Sequence, residues 1–304
     1  MTPSVSAVTV IERMASTATL TPTTPYTPAN PVIRSYSNAG MNRKHQFVQK
    51  NKYNRETCGV CGKRIKFGKV CLVCRECRAV CHPECGDQVP VPCVPTGSVT
   101  KTPSKSALSR GGQLSDHVPP TAPMVPAIIV HCINEIDRRG LAEVGIYRVP
   151  GSEREVKDLR EKFLVGKGCP NLSQYDVHTL TGVVKDFLRG LREPVITASM
   201  WSVFTTAATN PDVTDAMSEL FQAISELPQP NRDTLAFIML HLQRVTFCFL
   251  RYCFSNNSTY LQVSESKETK MSISNLARTI GVTIVGYSSA DPSPEEIMKA
   301  VRLE

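Results

Sequence analysis

The chain of 304 residues contains no apolar run approaching the roughly 18 residues that a membrane-spanning helix requires. Its opening, MTPSVSAVTVIERMAS, has no basic segment followed by a long apolar stretch, so the pattern of a secretory signal is missing. Residues 1–42 hold no heptad run, which excludes a coiled coil there, and no internal repeat occurs anywhere. Long alternating strand patterns are also lacking. These absences predict a cytoplasmic, reducing setting for the twelve cysteines, where cysteine marks metal sites more often than disulfides.

Charge is present but uneven. The net charge is +8. Residues 43–78 hold eleven Lys and Arg against Glu56 and Glu76, so this stretch alone carries +9 and the remainder sums to about −1. Such a local basic surface suits an anionic lipid or an acidic protein face, and no nucleic-acid partner is expected. Residues 1–43, with TLTPTTPYTPANP at their centre, are too polar and Pro-rich to build a core and are expected to be disordered. Their Thr-Pro pairs at Thr21, Thr24 and Thr27 suit proline-directed phosphorylation. A second polar linker covers 95–113.

Between them, residues 44–94 carry His45, Cys58, Cys61, Cys74, Cys77, His82, Cys85 and Cys93, separated by 12, 2, 12, 2, 4, 2 and 7 residues. Eight nitrogen and sulfur ligands make two tetrahedral zinc sites with no open position, the structural rather than the catalytic type. A module of this size cannot build a sufficient core, so two zinc ions must supply much of its folding energy. Cys71 and Cys81 fall outside the spacing and are read as non-ligands. The array resembles the protein kinase C-type phorbol-ester/diacylglycerol zinc finger. That resemblance implies an interleaved pairing, with His45, Cys74, Cys77 and Cys93 on one zinc and Cys58, Cys61, His82 and Cys85 on the other. The first loop, NKYNRETC, lacks the proline of lipid-responsive members, and the second, KRIKFGKVC, has Phe67 where they have glutamine. Phorbol-ester binding is therefore not expected, while the basic loops retain a reason to touch anionic lipid.

From residue 114 the pattern turns helical. Val125, Ile128, Ile129, Cys132, Ile133 and Ile136 mark one helix face that ends at Gly140. SERE at 152–155 reads as a capping box, with Ser152 as cap and Glu155 reaching back, ahead of Val156, Leu159 and Phe163. Asp176 is placed to cap a helix striped by Val177, Leu180, Val184, Phe187, Leu188 and Leu191. Two further faces are Met217, Leu220, Phe221 and Ile224, then Leu235, Ile238, Met239 and Leu242. The expected architecture is multidomain: a small zinc-stapled α+β finger followed by an all-α domain over 114–304.

Four blocks in this helical part, GIYRVPG at 145–151, VVKDFLRGLREPVI at 183–196, ELPQPNRDTLAFIMLHLQRV at 226–245 and MSISNLARTIGVTIV at 271–285, resemble the Rho-family GTPase-activating domain. The resemblance implies a GTP-bound Rho-family small GTPase as partner. It implies Arg148 as the arginine finger that stimulates hydrolysis, with Lys185, Arg189 and Asn275 contacting the GTPase or orienting the loop. Arginine suits the task because its planar fork is permanently charged, and GTP hydrolysis spreads negative charge over the transferring phosphoryl group. The chain would then not itself be a GTPase but an activator of one. The pairing of this finger with this domain is also similar to activators that work with a mitotic kinesin in cytokinesis. In a full-length protein it implies that kinesin as partner and the spindle midzone, midbody and cleavage-furrow membrane as location.

The chain departs from the family at three points. VTFCFLRYCFSNNSTYLQVSESKETK replaces a short loop, so residues 246–262 read as an insertion. GVT at 281–283 stands where the family has Gly-Pro, and the sequence stops at Glu304, before the family's last helix or helices. Three functions remain open on the sequence: a catalytic activator, a GTPase-binding scaffold whose activating domain is impaired, and a lipid-sensing adaptor led by the finger.

Overall fold

The computed structural model describes residues 7–17, 42–96, 112–165, 168–247, 269–287 and 293. The Thr-Pro pairs, most of the second linker, residues 248–262 of the expected insertion and nearly all of the C-terminal stretch lie outside the described residues.

The finger is built on strands too short to make a core of their own. β1 (Phe47–Asn51) pairs antiparallel with β4 (Val70–Cys74), placing Phe47 opposite Cys74 and Asn51 opposite Val70. β4 pairs in turn with β5 (Val80–Cys81), and β2 (Glu56–Thr57) with β3 (Arg64–Ile65) forms a separate two-stranded ribbon. Of the eleven buried residues in this cluster seven are cysteines, so apolar carbon is too scarce to hold the finger without its ligand groups.

The second cluster is an ordinary apolar core between helices: α2 (Ala127–Arg139), α3 (Glu153–Val165), α4 (Val177–Arg189), α5 (Trp201–Thr209), α6 (Val213–Glu226), α7 (Gln229–Phe247) and α8 (Ile273–Val285). α4 packs against both α2 and α3, and α8 against α4 and α7, so α4 lies at the centre. Ile128, Ile129, Cys132, Ile133 and Ile136 of α2 are all buried, on the face the spacing gives, and the helix closes at Gly140. Asp176 caps α4 by accepting the Thr179 N–H at 2.5 Å. Ser152 directly precedes α3, but the Glu155 carboxylate, expected to reach back to it, instead accepts from the Thr179 hydroxyl at 3.2 Å. α8 runs unbroken through Gly281, Val282 and Thr283, since no proline interrupts its hydrogen bonds there.

Two expectations are corrected. Within residues 1–43, expected to be disordered, Ala7–Thr17 form a helix, α1, that packs against α8, α5 and α7. Val8, Val10, Ile11, Met14 and Ala15 are buried, at spacings of three and four, and no proline falls in this stretch. A helix this short is marginal alone and is stabilised by docking. Arg13 fastens it by donating to the Ala208 and Asn210 carbonyls at the end of α5, at 3.4 and 2.9 Å. In α6 the buried face is Ala216, Leu220 and Ala223, while Phe221 is 61% exposed. α6 packs against α5, whose Ala207 and Ala208 are also buried.

Hydrogen bonds join the finger to the helical domain. Arg43 Nη2 donates to the Ala122 carbonyl at 2.6 Å, and Asn171 Nδ2 to the Val60 carbonyl at 3.3 Å.

Candidate functional site

Arg148 sits on the loop between α2 and α3, and its side chain is exposed. The two residues before it, Ile146 and Tyr147, are 0% exposed, so the loop is anchored in the core and turns outward at the arginine. Gly145 has φ 70°, and a Cβ there would lie 2.7 Å from Val149 Cγ2. The Gly145 carbonyl accepts from the N–H groups of both Arg148 and Val149 at 2.8 Å, which closes a tight turn. Gly151 serves another purpose: a Cβ would fall 2.4 Å from the Thr179 nitrogen, so glycine lets the loop pass directly over the start of α4. Tyr147 takes φ 66°, a left-handed conformation unusual for a side chain of this size.

Three other residues named from the sequence converge on this loop to different degrees. Lys185 Nζ, half-buried in α4, donates to the Tyr147 carbonyl and so holds the residue next to Arg148. Burial, then the nearby Arg189, lowers the Lys185 pKa. Arg189 lies one turn further along α4 and is exposed. Asn275 lies in the first turn of α8, which Ser272 caps by accepting the Asn275 N–H at 3.2 Å. Its Nδ2 donates to the Lys270 carbonyl at 3.4 Å, and the neighbouring Thr269 carbonyl accepts the Gly145 N–H at 2.8 Å. The start of α8 is thereby tied to the arginine loop. Arg148 and Arg189 are thus both exposed cations, and α4 and the start of α8 each hold the backbone of the arginine loop.

Sequence reasoning missed what lies beneath. Tyr147 Oη, His241 and Asp137 form a buried hydrogen-bonded row, with Arg244 at its outer end. One signal for it was present: His241 interrupts the apolar stripe of Ile238 and Leu242.

In the finger, two groups of four ligand atoms each gather within 4.8 Å: His45, Cys74, Cys77 and Cys93, and Cys58, Cys61, His82 and Cys85. They are the interleaved sets that the resemblance implies. Cys77 Sγ lies 3.3 Å from His45 Nδ1, Cys74 Sγ 3.8 Å from Cys93 Sγ, and Cys61 Sγ 3.4 Å from His82 Nδ1. A tetrahedral zinc with bonds of about 2.0–2.3 Å spaces its ligands about 3.3–3.8 Å apart, so the donor sets fit zinc. His45 Nε2 lies 3.0 Å from the Pro90 carbonyl, an outer hydrogen bond that leaves Nδ1 for the metal. Cys71 and Cys81 are buried in the strands and belong to neither group; Cys71 Sγ donates to the Lys50 carbonyl at 3.3 Å. At the far end of the finger Tyr53 and Phe67 are 63% and 76% exposed and meet edge to face, 5.4 Å apart. Among the described residues no helix is long and apolar enough to cross a membrane.

Comparison with known proteins agrees with both modules. The RhoGAP domain family matches residues 126–289, and the phorbol esters/diacylglycerol binding domain (C1 domain) matches 45–96. Mouse Rac GTPase-activating protein 1 is 45% identical over 266 residues, covering 87% of this chain and 39% of that protein. Rho GTPase-activating protein 100F of Drosophila melanogaster is 34% identical over 188 residues, 60% of this chain and 9% of that one. This chain thus spans well under half the length of either relative. The crystal structure of human Rho GTPase activating protein 15 superposes with a TM-score of 0.53 at 23% identity, over 67% of this chain and 92% of that one, a likeness of fold. The chain therefore belongs to the RhoGAP domain family, with a C1-type zinc-binding finger ahead of the RhoGAP domain.

Proposed function

We propose that the chain stimulates GTP hydrolysis by a Rho-, Rac- or Cdc42-type small GTPase, with Arg148 entering the partner's nucleotide site. The observation that carries this reading is the exposed Arg148 on a loop whose backbone is fixed from both sides, by Lys185 of α4 and by Thr269 ahead of α8. A fixed backbone with a free guanidinium suits a side chain that neutralises charge in another protein, because positioning is complete before the partner arrives. Lys185 holds the loop, and Arg189 and Asn275 contact the GTPase around it. No covalent chemistry falls to this chain; it binds, orients and supplies positive charge.

In the finger each four-ligand group holds one zinc, two in all, and both are structural. The exposed Tyr53 and Phe67, among Lys52, Arg55, Arg64, Lys66 and Lys69, suit the interface of an anionic membrane, which would bring the RhoGAP domain to its partner. In the longer protein this reading extends to a mitotic kinesin partner and to cytokinesis at the midzone, midbody and cleavage furrow.

A second reading, a scaffold that grips a GTPase without accelerating it, has one feature in its favour. Residues 246–262 enlarge the connection that leads into Thr269, and Thr269 bonds the arginine loop. Single-turnover hydrolysis by GTP-loaded Rac separates the two. The full chain is expected to stimulate, and Arg148→Ala to lose a factor of roughly 10³–10⁵. Equal stimulation by Arg148→Ala overturns the catalytic reading. Stimulation only after deletion of 246–262 supports the scaffold.

A further inference from the structure

A row of polar groups crosses the helical core beneath the arginine loop. Arg244 of α7 donates through Nε to Asp137 Oδ2 of α2 at 2.9 Å. Asp137 Oδ1 lies 2.6 Å from His241 Nδ1, and His241 Nε2 lies 2.8 Å from the Tyr147 hydroxyl. The side chains of Tyr147 and His241 are 0% exposed. Burial, and then the charge of Asp137, pushes the Tyr147 phenol well above its usual range, so it keeps its proton. Burial also holds His241 below the ordinary imidazole value, so the ring is neutral. Its Nδ1–H therefore faces the carboxylate, and Nε2 accepts from tyrosine.

This directionality matters because Tyr147 is the residue with φ 66° immediately before Arg148. A left-handed turn at a bulky residue persists only where its surroundings hold it. A phenyl ring would fill nearly the same space but leave the buried His241 Nε2 without its partner, so the hydroxyl serves the hydrogen bond rather than the packing. What it adds is a hydrogen bond that anchors the far end of the side chain, and through it the Cα from which the Arg148 turn departs. Lys185 grips the same residue from the other side, at its carbonyl.

We propose that Tyr147, His241 and Asp137 form a clamp that positions the Arg148 loop, with the Tyr147 hydroxyl as its contact to the loop. All three act through Arg148 and none touches the nucleotide. The part that concerns hydrolysis rests on the activator reading above; the ordering of the loop does not.

Tyr147→Phe in the full chain removes one oxygen and leaves the packing. Two measurements test it. In amide hydrogen exchange, the Arg148 and Val149 amides, which bond the Gly145 carbonyl, are expected to exchange about tenfold faster, with α2 and α4 unchanged. In single-turnover hydrolysis at saturating chain, the maximal rate is expected to fall about tenfold, the half-saturating concentration to stay within about twofold, and the variant to cause no further loss in an Arg148→Ala background. Unchanged exchange at 148 and 149 overturns the clamp whether or not the chain stimulates. A loss of equal size in the Arg148→Ala background, or one confined to the half-saturating concentration, also overturns it. Failure of the activator reading looks different: Arg148→Ala alone would leave stimulation intact.

Discussion

In the finger, seven of eleven buried residues are cysteines, and its longest strands have five residues. In the helical domain the largest fully buried side chains include Tyr147, Phe187, Phe204 and a set of leucines and isoleucines. The two regions solve the same problem with different materials. The finger closes its chain through ligand geometry at two points, whereas the RhoGAP domain removes a continuous apolar surface from water. They also present function differently. The finger exposes an aromatic tip among basic residues, while the RhoGAP domain exposes one arginine on a loop rooted in its core.

The largest separation between them should come from metal removal. Structural zinc contributes about 10–16 kcal/mol of apparent binding energy to small modules. A strong chelator is expected to release two zinc ions per chain and abolish exchange protection in β1, β4 and β5, while the helical far-UV signal stays. Loss of the helical signal in the same transition would contradict a division into two independently held cores. The converse experiment is Ile133→Ala, a fully buried site in α2. It is expected to destabilise the helical domain by about 2–5 kcal/mol, with the zinc content unchanged.

Acid should distinguish the two regions by another route. Burial holds His117 and His241 below the ordinary imidazole value and His131 at about 4, so all three are neutral when folded. On unfolding they bind protons. Stability of the helical domain is therefore expected to decline as pH falls below about 6.5, by at most about 1.4 kcal/mol per pH unit for each histidine. Thermal melts at pH 7.5, 6 and 5 measure this, and flat melting temperatures would contradict it. The smallest effect is expected at the α4 cap, where Asp176→Ala should cost about 1 kcal/mol by removing the acceptor for Thr179.

Much of the finger was legible because ligand chemistry fixes residue type and spacing together. His45 to Cys93 can be read along the line, and the structure gathers the same eight. α2 and α4 were legible because their apolar faces are long and periodic. α1 was not, because Val8, Val10, Ile11, Met14 and Ala15 adjoin a Thr/Pro-rich stretch that dominates the local composition, and because docking on α5, α7 and α8 supplies their stability. The face of α6 was misjudged because hydrophobicity favours Phe221, whereas the residues that the helix buries are Ala216, Leu220 and Ala223. In the site, Arg148 could be named from a motif, yet Tyr147, Asp137 and His241 are far apart in sequence, and only tertiary structure brings them into one row. The two glycines of GIYRVPG look alike in sequence, but one supplies a positive φ and the other a close approach to α4.

The central claim is that Arg148 meets charge that exists only as the phosphoryl group transfers. The measurement closest to it compares binding of the chain to a Rho-family GTPase loaded with GDP and aluminium fluoride, which mimics that charge, and with a non-hydrolysable GTP analogue. For Arg148→Ala, affinity for the aluminium fluoride complex is expected to fall at least about a hundredfold, while affinity for the analogue complex changes little. Equal affinities of the variant and the unaltered chain for the aluminium fluoride complex would contradict it.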